Sequence, residues 1–61
     1  MKRRELDKRL RRLGWRILRE GKKHTIWTDD NDMVAVPRHP EINERTARAI
    51  LIVAEGSTNE G

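Results

Sequence analysis

The chain has 61 residues, which is enough for one small domain that buries only about 60% of the surface of its unfolded chain. It contains no cysteine, which excludes disulfide bonds and thiolate metal sites and fits a reducing cytoplasm. The N-terminus is charged, and no run approaches the roughly 20 apolar residues of a membrane span. We therefore expect a soluble cytoplasmic protein with no secretory signal and no membrane contact.

Basic residues are concentrated in the first third of the chain. The net charge is +4 and the pI is about 10.4. Residues 1–23 hold eleven of the fourteen lysines and arginines, and the acids there are only Glu5, Asp7 and Glu20. Such a distribution favours a polyanionic partner or an acidic protein, through charge attraction and counterion release. The basic part of the chain is expected to meet that partner.

The first predicted element is an amphipathic helix over residues 3–13. Its narrow apolar stripe, at spacings i, i+4 and i+7, consists of Leu6, Leu10 and Leu13. Gly14 is expected to end the helix in a left-handed conformation. Arginines and lysines cover the remaining surface, either as a solvated face or as phosphate contacts, and Arg9 and Arg12 are the candidates for phosphate binding.

Three strands are predicted after the helix, over residues 15–20, 25–28 and 33–36. The first mixes apolar and charged residues and suits a strand with one buried face. Residues 29–32, Asp-Asp-Asn-Asp, are typical of a turn. They lack the glycine and the distal glutamate of a calcium loop, so no metal site is expected. Pro37 cannot donate to the sheet and ends the third strand.

A second helix is predicted after the connector 37–40. Asn43 suits its N-cap, and Ile42 can pack onto Ala47. The apolar face of this helix consists of Ala47, Ile50, Leu51 and Ala54. Gly56 is expected to stop the helix, which gives one domain over residues 1–55 and a disordered polar tail over residues 56–61.

The predicted fold is therefore α+β, in the order α-β-β-β-α. A three-stranded antiparallel sheet needs one face covered, and the two helices are the only apolar cover available. The other face is left open. This is the architecture of a small double-stranded-RNA-binding-like fold, although a fold alone does not give a function.

The turn at residues 21–23 carries the candidate chemistry. Gly21 suits a tight turn, Lys22 and Lys23 supply cations for phosphate oxygens, and His24 supplies an imidazole, the side chain most often used for proton transfer. The alternative is a basic hairpin turn with a solvated histidine. Strand alternation places Ile26 on the same face as His24 and Trp27 on the opposite face, so we expect Trp27, like Trp15, to lie in the core.

These residues, in this order, resemble the HicA toxins, small bacterial ribonucleases of type II toxin–antitoxin modules. The resemblance spans residues 3 to 55 and lies in four short motifs: Leu13-Gly14-Trp15, Gly21 to His24, Val34-Ala35-Val36-Pro37-Arg38-His39-Pro40, and the last helix with Thr46, Arg48 and Ile50. Family members usually have Gly-Ser-His or Gly-Thr-His at the turn. Here Lys22-Lys23 precedes the histidine, and Lys23 can hold a phosphate oxygen as a point charge instead.

The resemblance implies a double-stranded-RNA-binding fold, cleavage of mRNA in the bacterial cytoplasm, and a HicB-like antitoxin that covers the face bearing His24. It also implies that His24, at the start of the second strand, is the catalytic residue. Neither a cofactor nor a metal is expected, because RNA carries its own nucleophile, the 2′-hydroxyl.

The residues at hand suggest roles for each step of such a cleavage. His24 would act as general base or acid, and Lys22, Lys23 and Arg38 would offset the charge on the phosphorane. The second proton transfer falls to His39, a lysine or water. For His39 the alternative is a structural role in the connector.

Two other functions fit the same sequence. One is a non-catalytic RNA-binding module of the double-stranded-RNA-binding type, whose affinity would fall steeply with salt and would not depend on His24. The other is an adaptor whose basic face docks an acidic protein. Only the ribonuclease requires loss of RNA that depends on His24.

Overall fold

The computed structural model describes residues 1–56. The elements in chain order are α1 (Arg3–Arg12), β1 (Arg16–Glu20), β2 (His24–Thr28), β3 (Met33–Pro37) and α2 (Glu44–Gly56). This confirms the predicted α+β fold and its order α-β-β-β-α. The tail predicted to be disordered lies, from residue 57 on, outside the described residues. In the described part, neither helix has the length and apolar content needed to span a lipid bilayer.

The end of α1 is built around Gly14, which has a φ of +92°. The Gly14 N–H donates to the Arg11 carbonyl at 3.1 Å, and the Trp15 N–H donates to the Leu10 carbonyl at 3.0 Å. These two bonds define a Schellman motif, with the left-handed residue where glycine is favoured. Leu13 becomes the C-cap and is 38% exposed, so the helix ends one residue earlier than predicted and its buried stripe stops at Leu10.

The three strands form an antiparallel sheet in the order β1-β2-β3. Between β2 and β3 the register is regular, from His24 opposite Pro37 to Thr28 opposite Met33. Between β1 and β2 the register shifts at Leu18, because Ile17 pairs with Trp27 and Arg19 pairs with Ile26. Leu18 is therefore the extra residue of a β-bulge. No bulge was predicted there.

One face of the sheet packs against both helices. The buried core contains Leu6, Leu10, Trp15, Trp27, Val34, Val36, Ile42, Ala47, Ile50 and Ala54. Trp27 is fully buried and Trp15 is 3% exposed, which confirms their prediction as core residues. The guanidinium of Arg11 lies 5.2 Å from the centre of the Trp27 ring, a distance at which a cation–π contact adds stability. Neither of the two helices in residues 1–56 covers the second face of the sheet.

The two chain segments that flank the helices meet at one end of the sheet. The N-terminal amine of Met1 donates to the Ile42 carbonyl at 2.9 Å, and the Arg3 N–H donates to the Pro40 carbonyl at 2.9 Å. At the start of α2, the Asn43 Oδ1 accepts the Arg45 N–H at 2.8 Å, which confirms the predicted N-cap. These bonds fix the connector after β3 against the beginning of α1.

Candidate functional site

The β1–β2 turn places His24 through a close backbone contact. The Gly21 N–H donates to the His24 carbonyl at 2.8 Å. A Cβ atom on residue 21 would lie 3.1 Å from that same oxygen, which is tighter than ordinary van der Waals contact. A Cβ there would need the two backbones to move apart by a few tenths of an ångström, so this close approach favours glycine, and the turn fixes where β2 begins.

His24 is the first residue of β2 and its side chain is exposed. Lys22 and Lys23 directly before it are exposed as well. Among residues 1–56, none of these three side chains makes a hydrogen bond or an ion pair. The turn therefore presents one imidazole and two ammonium groups to solvent, all available to a ligand.

Arg38 lies beside this turn but is already engaged by it. Its Nη1 donates to the Gly21 carbonyl at 2.9 Å, and its Nη2 lies 4.0 Å from the Glu20 Oε1. The Arg38 backbone N–H also donates to the Lys23 carbonyl at 3.1 Å. Arg38 thus ties the end of β3 to the β1–β2 turn, and only its remaining N–H groups can face a phosphate.

A shallow depression of about 320 Å³ surrounds these residues on the open face of the sheet. Lys22, Lys23 and His24 line it together with Arg19, Ile26 and Ala35, and Gly21 completes its wall. Its volume is at the lower end of the range of small-molecule pockets, about 300–1,000 Å³. An open surface of this kind suits a segment of a polymer better than an enclosed small molecule.

Arg9 and Arg12, the predicted phosphate-binding residues of α1, are not brought to this depression. Arg9 lies in the helix layer, where it lines a groove between α1 and α2 with Arg48 and Leu51. Arg12 ends α1, close to the start of β1, whereas the turn at residues 21–23 follows the other end of that strand. A five-residue strand is about 17 Å long, so Arg12 and His24 lie at opposite ends of the sheet.

His39 lies two residues beyond Pro37, the residue that pairs with His24. Its side chain is exposed in the connector between β3 and α2. This places the second imidazole at the same end of the sheet as the first. Its role remains a prediction.

Arg19 is the residue at this site that the sequence reasoning missed. Simple alternation from Ile17 would turn the side chain of residue 19 toward the core, and the bulge at Leu18 reverses that direction. A signal was present in the sequence. Two adjacent apolar residues, Ile17 and Leu18, interrupt the alternation of a half-buried strand, and such an interruption is typical of a bulge.

The carboxyl groups with perturbed pKa values lie elsewhere. Burial raises the pKa of Asp7 on α1, against the opposing charges of Arg3 and Arg11. In the β2–β3 turn, the N–H groups of Asp32 and Asn31 lower the pKa of Asp29 by donating to its carboxylate. Within residues 1–56, no three side chains of His, Cys, Asp or Glu are grouped so as to hold a metal ion.

Comparison with known proteins gives one match. Residues 3–55 match the family described as the HicA toxin of bacterial toxin–antitoxin systems, which covers nearly the whole chain. No curated protein and no solved structure matches.

Proposed function

Because the chain belongs to the HicA toxin family of bacterial toxin–antitoxin systems, we propose that it is an endoribonuclease that cleaves mRNA, with His24 as its catalytic residue. This proposal rests on the exposure of the His24 side chain and on its lack of a bonding partner among the described residues. The imidazole is exposed at the first position of β2, is held there by the Gly21 turn, and has no partner within residues 1–56. An uncommitted imidazole between two lysines and an open sheet face is suited to proton transfer on a bound phosphodiester.

The reaction needs only proton transfer and charge stabilisation. His24 as general base takes the proton of a 2′-hydroxyl, whose oxygen attacks the adjacent phosphorus while the 5′-oxygen leaves. The products are a 2′,3′-cyclic phosphate and a free 5′-hydroxyl, and the leaving oxygen must receive a proton. Positioned proton transfer of this kind contributes about 10²–10⁴-fold in rate. Lys22 and Lys23 would stabilise the negative charge on the phosphorane.

Arg38 has a different role in this proposal. Its bond to the Gly21 carbonyl holds the turn that carries His24, so it acts chiefly as a positioning residue. The proton for the leaving oxygen comes from His39, a lysine or water. The His39→Ala substitution tests whether His39 is that donor. The cleavage rate should fall if His39 donates the proton, and it should not change if His39 is only a structural residue of the connector.

The proposed partners are RNA and a HicB-like antitoxin in the bacterial cytoplasm. Membership in a toxin–antitoxin family implies an antitoxin. The sheet face bearing His24 is not covered by either helix of the described residues, and it is the surface such an antitoxin would cover to block access of RNA. A metal is not required by the proposed chemistry.

The test in cells compares growth arrest by the wild type and by His24→Ala. We expect His24→Ala to stay folded, because the side chain is exposed, and to cause no arrest. Lys8→Ala, an exposed substitution on α1, serves as the control and should arrest growth like the wild type. Equal arrest by the wild type and His24→Ala would contradict the catalytic role and leave an RNA-binding module.

A further inference from the structure

The bulge in β1 changes which residues face the open side of the sheet. In a regular register Leu18 would pair with Ile26, and Arg19 would face the core. The bulge instead pairs Arg19 with Ile26, on the face that also carries His24. Burying an unpaired guanidinium in so small a core would be costly, and bulges are found where a side chain is re-aimed beside a functional site.

The guanidinium of Arg19 does not stabilise the fold through a polar contact in the described part of the chain. Its neighbour on β1, Arg16, is bonded to Asp30 at 2.8 Å, and Arg38 is bonded to the β1–β2 turn. Arg19 makes no hydrogen bond or ion pair within residues 1–56. Its guanidinium is therefore available for a phosphate, with a planar set of donors that matches phosphate oxygens.

The depression around His24 continues along the sheet. A second depression shares Arg19, Ile26 and Ala35 with it and extends to Leu18 and Met33. Together they form what we call the sheet groove, from Lys22 at one end to Met33 at the other. Leu18 is 50% exposed and Met33 is 64% exposed. Among residues 1–56, no acidic residue lines either depression.

We propose that the sheet groove binds single-stranded RNA, with Arg19 holding a phosphate next to the one that is cleaved. This rests on the proposed ribonuclease function and extends it to the substrate class and to one positioning residue. The cations Arg19, Lys22 and Lys23 face the backbone of the strand, and the aliphatic side chains of Ile26, Leu18 and Met33 contact its bases.

A single strand fits this surface better than a duplex for two reasons. Unstacked bases can lie flat on aliphatic side chains, whereas the bases of an A-form helix are turned inward. The reaction also requires the 2′-oxygen in line with the leaving 5′-oxygen, and a flexible single strand can adopt that alignment while a stacked duplex holds the two apart.

The test measures RNA binding in a His24→Ala background, so that cleavage does not interfere. Fluorescence anisotropy of a labelled single-stranded oligoribonucleotide and of its duplex is followed over a series of salt concentrations. We expect Arg19→Met to weaken binding of the single strand roughly tenfold, and to reduce the slope of log K against log salt by about 0.7, the value for one phosphate contact. Arg19→Lys should retain most of that slope.

Arg16→Met is the matched control, since it removes the same charge from the same strand at a residue bonded to Asp30. We expect it to leave affinity and slope unchanged, with circular dichroism confirming the fold of each variant. Equal losses in Arg16→Met and Arg19→Met, or duplex binding as tight as single-strand binding, would overturn the proposal. If the protein with His24 intact failed to cleave RNA, the proposed ribonuclease function would be refuted. The proposed binding of RNA in the sheet groove would not be, because binding is measured separately.

Discussion

At the scale of single residues, the site depends on a glycine and not only on the histidine. The Gly21 N–H and the His24 carbonyl are bonded at 2.8 Å, and there is no room for a Cβ between them without displacement. The Gly21 carbonyl in turn accepts the Arg38 guanidinium. Both backbone polar groups of Gly21 therefore fix the start of β2, where the imidazole lies.

Gly21→Ala is expected to displace the turn by a few tenths of an ångström and to reduce RNA cleavage about tenfold, since catalysis is sensitive to small misplacement. The urea midpoint should change little in comparison. Gly56→Ala is the control, because a Cβ there meets no atom within 4 Å. Unchanged cleavage by Gly21→Ala would show that the turn does not position His24.

The position of His24 at the start of a strand could be predicted from its neighbours in sequence. The hydrogen bond from Arg38 to the Gly21 carbonyl could not. A glycine followed by polar residues and then by an alternating apolar run indicates a turn and the start of a strand. Alternation then assigns the faces of Ile26 and Trp27. Arg38, in contrast, meets Gly21 through the pairing of β2 with β3, across 17 residues of sequence. Only the three-dimensional structure shows that its guanidinium is already engaged.

At the scale of elements, the Schellman motif after α1 directs the chain into the sheet. It brings Trp15 back onto Leu10, and both are buried in the same core. The first residue of β1 follows immediately. The orientation of the sheet against α1 therefore depends on one left-handed residue, Gly14.

Gly14→Ala should destabilise the fold by about 1–2 kcal/mol, the cost of a left-handed conformation for a residue with a Cβ. Gly14→Asn should cost less, because asparagine tolerates this conformation better. Urea unfolding followed by tryptophan fluorescence measures both variants. If the two substitutions were equally destabilising, or both neutral, the conformation of residue 14 would not be what limits stability.

The order and type of the elements could be predicted from hydrophobic periodicity, with boundaries within one residue at most ends. The bulge at Leu18 was not predicted, because the adjacent apolar residues Ile17 and Leu18 do not by themselves show how β1 pairs with β2. A bulge depends on which residues of β1 must be buried against β2. The same bulge brings Arg19 to the open face. Arg19 was therefore not predicted as a site residue because the bulge was not predicted.

At the scale of the whole molecule, positive charge is spread over both layers but is balanced differently in each. The groove between the helices, which contains Arg9 and Arg48, is also lined by Glu5 and Glu44. Within the described part of the chain, the sheet groove is lined by cations and by no acidic residue. The proposed RNA contacts come from β1 and its turn, and phosphate binding by Arg9 on α1 stays a prediction.

The open sheet face changes in character along its length, from cationic near the β1–β2 turn to apolar near Met33. His24 lies near one end, Arg19 lies beside it, and aliphatic side chains continue to Met33. On the opposite face of the sheet, Trp27 of β2 and Val36 of β3 lie in the core shared with the helices. An open face of this kind would leave His24 accessible to RNA, and a protein that covered the same face would exclude the RNA.

The most direct measurement is cleavage of a defined single-stranded RNA by the purified protein, in the presence of EDTA, with the wild type compared with His24→Ala. We expect cleavage by the wild type to 2′,3′-cyclic phosphate and 5′-hydroxyl ends, and a rate reduced by about 10²–10⁴-fold in His24→Ala. Equal rates in both proteins, or RNA that is bound and never cut, would contradict this expectation.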